Sequence, residues 1–504
     1  MDNHENGLPA RWDIETDVLV VGFGFAGGVS AVAAADDGAE VTIVEKMPNP
    51  GGISILAGGG IATALDENQA FEYLQHTNAG RTPDDVLRAL AKGMTEMKDF
   101  VKDLVKETPF ELEEQRNGGT YPFPGGEGLD GFKIAPMEGY QGFAWAKGLR
   151  GGARLFKVLL DNVEARRNIS VRLATPARRL VRDPEHGIVG LVAEHQGEEI
   201  AIKARQGVIL ACGGFENNEE MKRNYFEAMP VYTLFTGNTG DGITMAQDVG
   251  ASMWHMWHFH GSYGFKYPEF PLAFRHCFRG PRKDDWVMPW IAVDKYGRRF
   301  MNEYPPAVQD TGHRALEFYD ADKQEFPRIP AYLVYDEKGR KLGPVGQPTV
   351  HDESVSYDWS EDNLAEVDRG WIKKAGSLEE IAGMIPAADA ATLVATVEEW
   401  NQVCAGGGTD RYHRLPGTRL SIDTPPFYLM EVWPIVSNTQ GGPVHDAEQH
   451  VMDVRNDPIP RLFSAGECGS SFGHLYLEAG NITECFVTGR IAGRNAAGLD
   501  PWKG

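Results

Sequence analysis

Cysteine is scarce in this chain, with five residues among 504: Cys212, Cys277, Cys404, Cys468 and Cys485. The number is odd and no CxxC or CxxCH occurs. That argues against a disulfide framework, a zinc ribbon and an attached haem, and it fits a reducing cytoplasm. Long apolar runs are also missing. None exceeds strand length, so no membrane span is predicted. The first residues, MDNHENGLPARWDIETD, are polar and acidic, with neither an apolar core segment nor a twin arginine, so no export signal is read. Basic charge is short: 49 Lys and Arg stand against 72 Asp and Glu, a formal net charge of −23. Such a chain repels phosphate backbones and anionic lipid, which disfavours nucleic acid and membrane surfaces as partners. Repeats and low-complexity tracts are absent. What remains is an ordinary globular composition, 42% hydrophobic and 24% charged, at a length that calls for two or three folding units.

Order begins at Asp17–Gly22 (DVLVVG), a Val-rich run that reads as a buried parallel strand. An Ala-rich helix over Gly27–Asp36 and a second strand, Val41–Glu45, follow. Phe71–Gln75 and Pro83–Lys106 read as helices, the latter with Pro83 in its first turn and Leu87, Leu90, Met94 and Met97 on one face. Residues 116–142 are dense in Gly, Pro and aromatics and read as an irregular excursion. A helix near Arg154–Arg166 precedes four short strands, Val171–Leu173, Ala177–Asp183, Ile188–His195 and Glu199–Lys203, read together as a small β-meander. Gly207–Cys212 (GVILAC) reads as a separate buried strand. From about His255 to Pro434 aromatics, prolines and charges crowd in and periodicity weakens, which reads as an inserted cap. Arg461–Ala465 restores the strand pattern and Gly480–Ala497 reads as the final helix. The expected architecture is α/β: a Rossmann-type domain over 12–255 and 437–504, interrupted by an α+β cap over 256–436.

Gly22, Gly24 and Gly27 form GxGxxG between the first strand and the first helix, enclosing Phe25 and Ala26. The first glycine permits the tight turn and the second lets a pyrophosphate approach the backbone. The third lets helix and strand pack closely, and the helix N-terminus offers free N–H groups to phosphates. Glu45, 21 residues after Gly24, ends the second strand where a carboxylate can bind ribose hydroxyls, with Lys46 beside it. Strand, helix and acid in register predict dinucleotide binding. Gly51, Gly52, Ile53 and Ser54, then Ala57, Gly58 and Gly59, follow directly. Such a run lets backbone and a hydroxyl approach a flat ring system, which argues for FAD over NAD. No second GxGxxG follows a strand, so no dedicated NAD(P)H site is read. The electron acceptor or donor is expected to be external: a quinone, oxygen, a dye or a partner protein.

With these pieces in order, the chain resembles the fumarate reductase/succinate dehydrogenase flavoprotein superfamily, closest in pattern to its 3-ketosteroid dehydrogenase branch. VVGFGFAG, VEKMPNPGGIS, VILACGGFE, NTGDGITMA, GRRFMNE, NTQGGP, PIPRLFSAGE and AGNITECFVTGRIAGRNAA carry the resemblance. It implies an FAD domain with a cap closing over the flavin. It also implies FAD contacts at Ala211, Gly213, Gly214, Asn238, Asp241, Gly466 and Glu467, with Gly480, Asn481 and Ile482 at the pyrimidine edge of the isoalloxazine. Covalent members carry a histidine in the segment matching Gly51–Gly60. This chain has none there, so FAD is expected to be non-covalent. The anchors that hold two carboxylates in fumarate reductases are replaced by Leu477 and Asn438, and the proton-donating arginine by Ala307. In the ketosteroid branch, a tyrosine four residues before the flavin-edge glycine grips a ketone oxygen together with the glycine N–H. Tyr476 and Gly480 have that spacing. Tyr121, in TYPFPGG, is the candidate for a second family tyrosine.

Other residues invite a role. In Trp254–His260 (WHMWHFH), three histidines lack a carboxylate or cysteine at ligand spacing, so no metal site is read and the segment is expected to wall the pocket, with His258 or His260 toward substrate. His313 and Arg314 follow GRRFMNE and are candidates for a base and an anion anchor. Arg298 and Arg299 are expected to stabilise the cap. The reaction expected is introduction, or in reverse reduction, of a C=C bond next to the carbonyl of a small-molecule substrate, a cyclic ketone first. An ene-reductase of an unsaturated acid and an electron-carrying flavoprotein subunit are the alternatives.

Overall fold

The computed structural model describes residues 8–115, 118–146, 150–277, 287–305, 311–347, 357–477 and 479–504. Ala307 lies outside them. Strand β1 (Ile14–Val21) lies between β2 (Val41–Val44) and the strand Glu198–Leu210, parallel to both. Val18, Leu19 and Val20 are fully buried, as a central parallel strand covered on both faces requires. Helix α1 (Phe25–Asp36) crosses between β1 and β2, and its small residues let the C-terminal helix Gly480–Ala497 approach closely. A Cβ at Gly489 would stand 2.8 Å from the Ala26 carbonyl oxygen. Pro458–Ser464 and Ile169–Arg172 extend this main sheet on its two sides.

Three sequence expectations change. Val171–Leu173 is not part of the meander. The strand there, Ile169–Arg172, runs parallel to β2 and edges the main sheet. Glu199–Lys203 and Gly207–Cys212 are one strand of 13 residues, Glu198–Leu210. Its first half pairs with Gly187–His195 and its second with Pro458–Ser464, so the apparent break at Arg205–Gln206 marks a change of neighbour rather than a turn. The stretch 116–142 holds the strand Leu129–Ile134, which pairs with both Gly60–Ala64 and Leu112–Gln115. Its Gly and Lys positions hid the alternation.

A second sheet has the order Phe274–Arg275, Phe259–Phe265, Phe427–Thr439, Ala331–Asp336, Ile291–Val293, and Tyr232–Thr233 and Lys373–Ala375 also pair with Phe427–Thr439. Beside it, Arg299 forks onto Glu303 (2.7 Å) and onto Asp410, and Arg414 meets Glu303 at 3.1 Å with both side chains fully buried. This is charge pairing that locks a core. Among the described residues no helix is long and apolar enough to cross a membrane.

Candidate active site

An elongated cavity of about 500 Å³ runs from the β1–α1 turn to the start of the C-terminal helix. Its first end is made of backbone. Gly22 has φ +102°, and a Cβ there would sit 2.5 Å from the Ala211 carbonyl oxygen. A Cβ at Gly27 would overlap the Gly22 carbonyl oxygen, which fixes how closely α1 packs on the turn. The Ser54 hydroxyl accepts from the Phe25 amide at 3.0 Å, at the otherwise uncapped start of α1. Glu45 accepts from the Phe23 amide (2.8 Å) through Oε2 and from the Met47 amide (2.8 Å) through Oε1. Burial pushes this carboxyl above the usual carboxylate range, against the pull of those amides. Lys46 reaches across to Asp241 at 2.7 Å.

The cavity wall carries one buried acid, Glu467, with a second, Glu216, behind it. Glu467 accepts from the Thr439 amide (3.0 Å) and from Asn438 Nδ2 (3.2 Å). Asn238 Nδ2 lies 3.1 Å from Glu216 Oε1 and 3.4 Å from Glu467 Oε2. Burial raises both carboxyls, and Glu216 raises Glu467 further, so the pair holds a proton well above the ordinary carboxylate range. Glu216 escaped the sequence reading, although it follows Gly213 and Gly214 in GGFE. A Cβ at Gly214 would approach Glu467 Oε1 to 2.6 Å, so this glycine makes room for the acid.

The far end is built from side chains. Tyr476 is buried, its hydroxyl 3.3 Å from the Asn481 amide at the first turn of the C-terminal helix. The His260 ring lies 4.0 Å from the Tyr476 ring. His260 sits at an irregularity in the pairing of Phe259–Phe265 with Phe427–Thr439, where the register shifts between His260 and Gly261. Its Nδ1 is 3.3 Å from Asn438 Oδ1. Asn438 turns that oxygen toward His260 because its Nδ2 faces Glu467. Arg275, Gln347 and Ser437 complete this wall. None of the three carried a motif.

The other candidates fall in two groups. Phe25, Ala26, Gly52, Ile53, Ala57, Gly58, Gly59, Ala211, Gly213, Asn238, Asp241, Asn481 and Ile482 line the cavity. Gly51 and Gly466 stand behind the wall with φ +111° and +68°. Gly480 departs from the expectation that its N–H is a free carbonyl donor. That N–H donates to the Leu477 carbonyl at 2.6 Å, because the chain closes a tight turn before the helix begins. Tyr121, His313 and Arg314 do not line the cavity. His313 is stacked on Phe259 with ring centroids 4.0 Å apart and pairs with Glu317. Arg314 donates to the His474 carbonyl at 2.6 Å and lies over the Trp257 ring. The Tyr121 amide donates to the Tyr73 hydroxyl oxygen at 2.8 Å. The three histidines of the Trp254–His260 stretch do not converge on one point. The Nδ1 of His255 meets the Ser470 carbonyl and that of His258 the Phe472 carbonyl, each at 2.8 Å.

A parallel β–α–β unit with a glycine cradle, a buried acid directly after its second strand and a second sheet at the far end are the features of a dinucleotide-dependent oxidoreductase of the flavoprotein class. The chain belongs to the FAD binding domain family, whose model matches residues 17–482. It is similar to urocanate reductase of Eggerthella lenta, 29% identical over 97% of this chain and 76% of that protein. It is also similar to 3-oxosteroid 1-dehydrogenase of Mycobacterium tuberculosis, 28% identical over 96% of this chain and 98% of that one. In fold it matches the 3-ketosteroid delta1-dehydrogenase of Sterolibacterium denitrificans solved with 1,4-androstadiene-3,17-dione. There the TM-score is 0.80 at 22% identity, over 96% of this chain and 99% of that one. The protein is thus an FAD-dependent oxidoreductase acting on C=C or CH–CH bonds.

The residues present fit that cofactor. The cradle at Gly22 is one a side chain would fill, and the Asn481 carboxamide, buried at the cavity wall, has no protein partner on either its oxygen or its nitrogen. An amide left open in this way at a helix start matches the donor and acceptor edge of an isoalloxazine.

Proposed function

We propose that the protein introduces, or in reverse saturates, a C=C bond α,β to a carbonyl, with a cyclic ketone as the preferred substrate class. The supporting observation is the Tyr476 hydroxyl, held in the cavity by a helix-start amide and faced by His260. FAD supplies the hydride acceptor or donor when bound. We place its diphosphate at the start of α1, its ribose at Glu45 and its ring edge at Asn481 and Ile482. No histidine occurs among residues 51–60, so the flavin is held without a covalent bond. Acid precipitation should leave the yellow colour in the supernatant. Colour retained by the precipitated chain would refute this.

The Tyr476 hydroxyl accepts from the Asn481 amide, and the same hydroxyl is the group we assign to donate to the substrate's carbonyl oxygen. Donation there stabilises the enolate and acidifies the α-hydrogen. The His260 ring, beside Tyr476 and held at Nδ1 by Asn438 Oδ1, is the group we assign to take the α-proton. Oxidation of a saturated ketone to the α,β-enone releases one α-proton, which His260 would take, and one β-hydride, which FAD would accept when bound. A second reading, reduction of an unsaturated carboxylic acid, is favoured by Arg275 at the cavity wall. Anaerobic mixing separates the two. Saturated cyclic ketones should bleach the flavin's visible band, while saturated acids without a ketone should not. Bleaching by the acids alone would overturn the ketone reading.

A further inference from the structure

We infer that Cys212 and Cys468 form a peroxide-sensitive thiol–disulfide pair that clamps the end of the cavity assigned to the nucleotide. The two residues are far apart in the chain and meet through the main sheet. Glu198–Leu210 and Pro458–Ser464 run parallel with Leu210 opposite Ser464, and the Ala465 amide donates to the Leu210 carbonyl at 2.9 Å. Cys212 follows the end of the first strand and Cys468 the end of the second. The Ser464 hydroxyl donates to the Cys468 carbonyl, which folds that loop back over its strand end. Helix Asp241–Asp248 packs on both, and its Gly242 makes the room. A Cβ there would stand 2.2 Å from Cys212 Sγ and 3.3 Å from Cys468 Sγ. The sulfurs are therefore neighbours, no farther apart than those two distances together. Neighbouring strand ends, about 4.8 Å apart, are within the Cα separation that a disulfide spans.

The two thiols differ in access. Cys212 lines the cavity, and Cys468 is fully buried behind it. The Cys468 thiol and burial push the Cys212 thiol well above its usual range, so the pair rests reduced and protonated. The oxidant that suits this arrangement is small and arises inside the cavity. Hydrogen peroxide fits, since it is what a reduced flavin yields with oxygen. One peroxide oxygen passes to the Cys212 sulfur, giving a sulfenic acid and one water. The Cys468 sulfur then attacks the Cys212 sulfur, the S–O bond breaks, and the oxygen leaves as a second water with the remaining thiol proton. The bond formed joins two walls of the cavity. The Cys212 Cα stands 2.8 Å from where a Gly22 Cβ would be, and Cys468 directly follows Glu467. A bridge ties the floor of the Gly22 turn to the Glu467 loop, so FAD exchange should slow. Cys485 also lines the cavity, with its sulfur packed against the Gly466 position, and serves as the comparison.

The test treats the FAD-loaded protein with graded hydrogen peroxide, alkylates the remaining thiols and maps the peptides by mass. Two of the five thiols should disappear together, in one cross-linked peptide pair holding Cys212 and Cys468, and dithiothreitol should restore both. Cys277, Cys404 and Cys485 should be alkylated throughout. Release of FAD on dilution, read as the gain in flavin fluorescence, should be slower from the bridged protein by on the order of tenfold. In Cys468→Ala, peroxide should leave a sulfenic acid on Cys212, trapped by dimedone, and should no longer slow release. Cys212 recovered as a sulfinic acid beside an alkylated Cys468 would overturn the pair, as would oxidation of Cys485 first. Neither result needs a variant, so the test holds even if Cys468→Ala fails to fold. Release that is unchanged or faster in the bridged protein would overturn the clamp.

Discussion

The two ends of the cavity are made of different materials. At the end we assign to the nucleotide the wall is backbone: a left-handed Gly22, amides on Glu45, and glycines whose missing Cβ is the space itself. At the end we assign to the substrate the wall is side chains from five separated segments, His260, Arg275, Gln347, Ser437–Asn438 and Tyr476. A backbone site tolerates no added atom but makes little use of side-chain chemistry. A side-chain site keeps its shape when one polar atom is removed but loses its chemistry. Substitutions at the first end should therefore empty the protein of flavin, and those at the second should leave it yellow and slow.

Gly27→Ala should have the largest effect. Its methyl would overlap the Gly22 carbonyl oxygen, so α1 must move off the turn. A loss of about 3 kcal/mol or more is expected, at the upper end of the cost of overpacking. FAD content, read from the ratio of visible to ultraviolet absorbance, should fall with it. A yellow Gly27→Ala protein of normal melting temperature would contradict the contrast between the ends.

Tyr476→Phe should act the opposite way. The ring keeps its packing against His260 and Phe472, and only the hydroxyl goes. Flavin reduction by a cyclic ketone should slow by about 10²–10³, equivalent to about 2.7–4 kcal/mol, the usual cost of one oxyanion donor. FAD content should stay unchanged. A mutant that loses its flavin would make Tyr476 a structural residue.

Glu484 gives a smaller effect that depends on pH. It lies buried on the C-terminal helix, accepting from Ser470 Oγ (2.7 Å) and the Ser471 amide (2.5 Å), and so secures the loop that carries Phe472 against Tyr476. Burial raises it from 4.5 to about 7. A raised acid binds its proton more tightly folded than unfolded. Its stabilising contribution is therefore complete below pH 4.5 and is lost as pH rises through about 7. The loss amounts to up to about 3 kcal/mol. Glu484→Gln keeps a donor-acceptor group without the titration, so the melting temperature should fall less steeply over that window. An unaltered slope would show that Glu484 is not the group responsible.

The contrast also explains what could be read from the sequence. GxGxxG, Glu45 and the Gly51–Ser54 run are local, and their geometry follows from adjacent residues, so the glycines and the acid that line this end of the cavity could be picked out one by one. Tyr476 was readable through a short spacing to the helix start. The N–H beside its hydroxyl was assigned one residue early, since a tight turn occupies the Gly480 amide. Arg275, Gln347 and Ser437 were not readable. They meet only after the second sheet pairs strands far apart in the chain, and register there is set by a shift at His260 that no local pattern announces. Glu216 failed for a similar reason, because its partner Glu467 lies on another strand end.

One measurement bears most directly on the reaction. A saturated cyclic ketone is mixed anaerobically with the FAD-loaded enzyme, without an electron acceptor, and the products are analysed as the flavin bleaches. The account predicts one equivalent of α,β-enone for each flavin reduced. Reduced flavin without enone, or flavin that stays oxidised with every cyclic ketone tried, would contradict it.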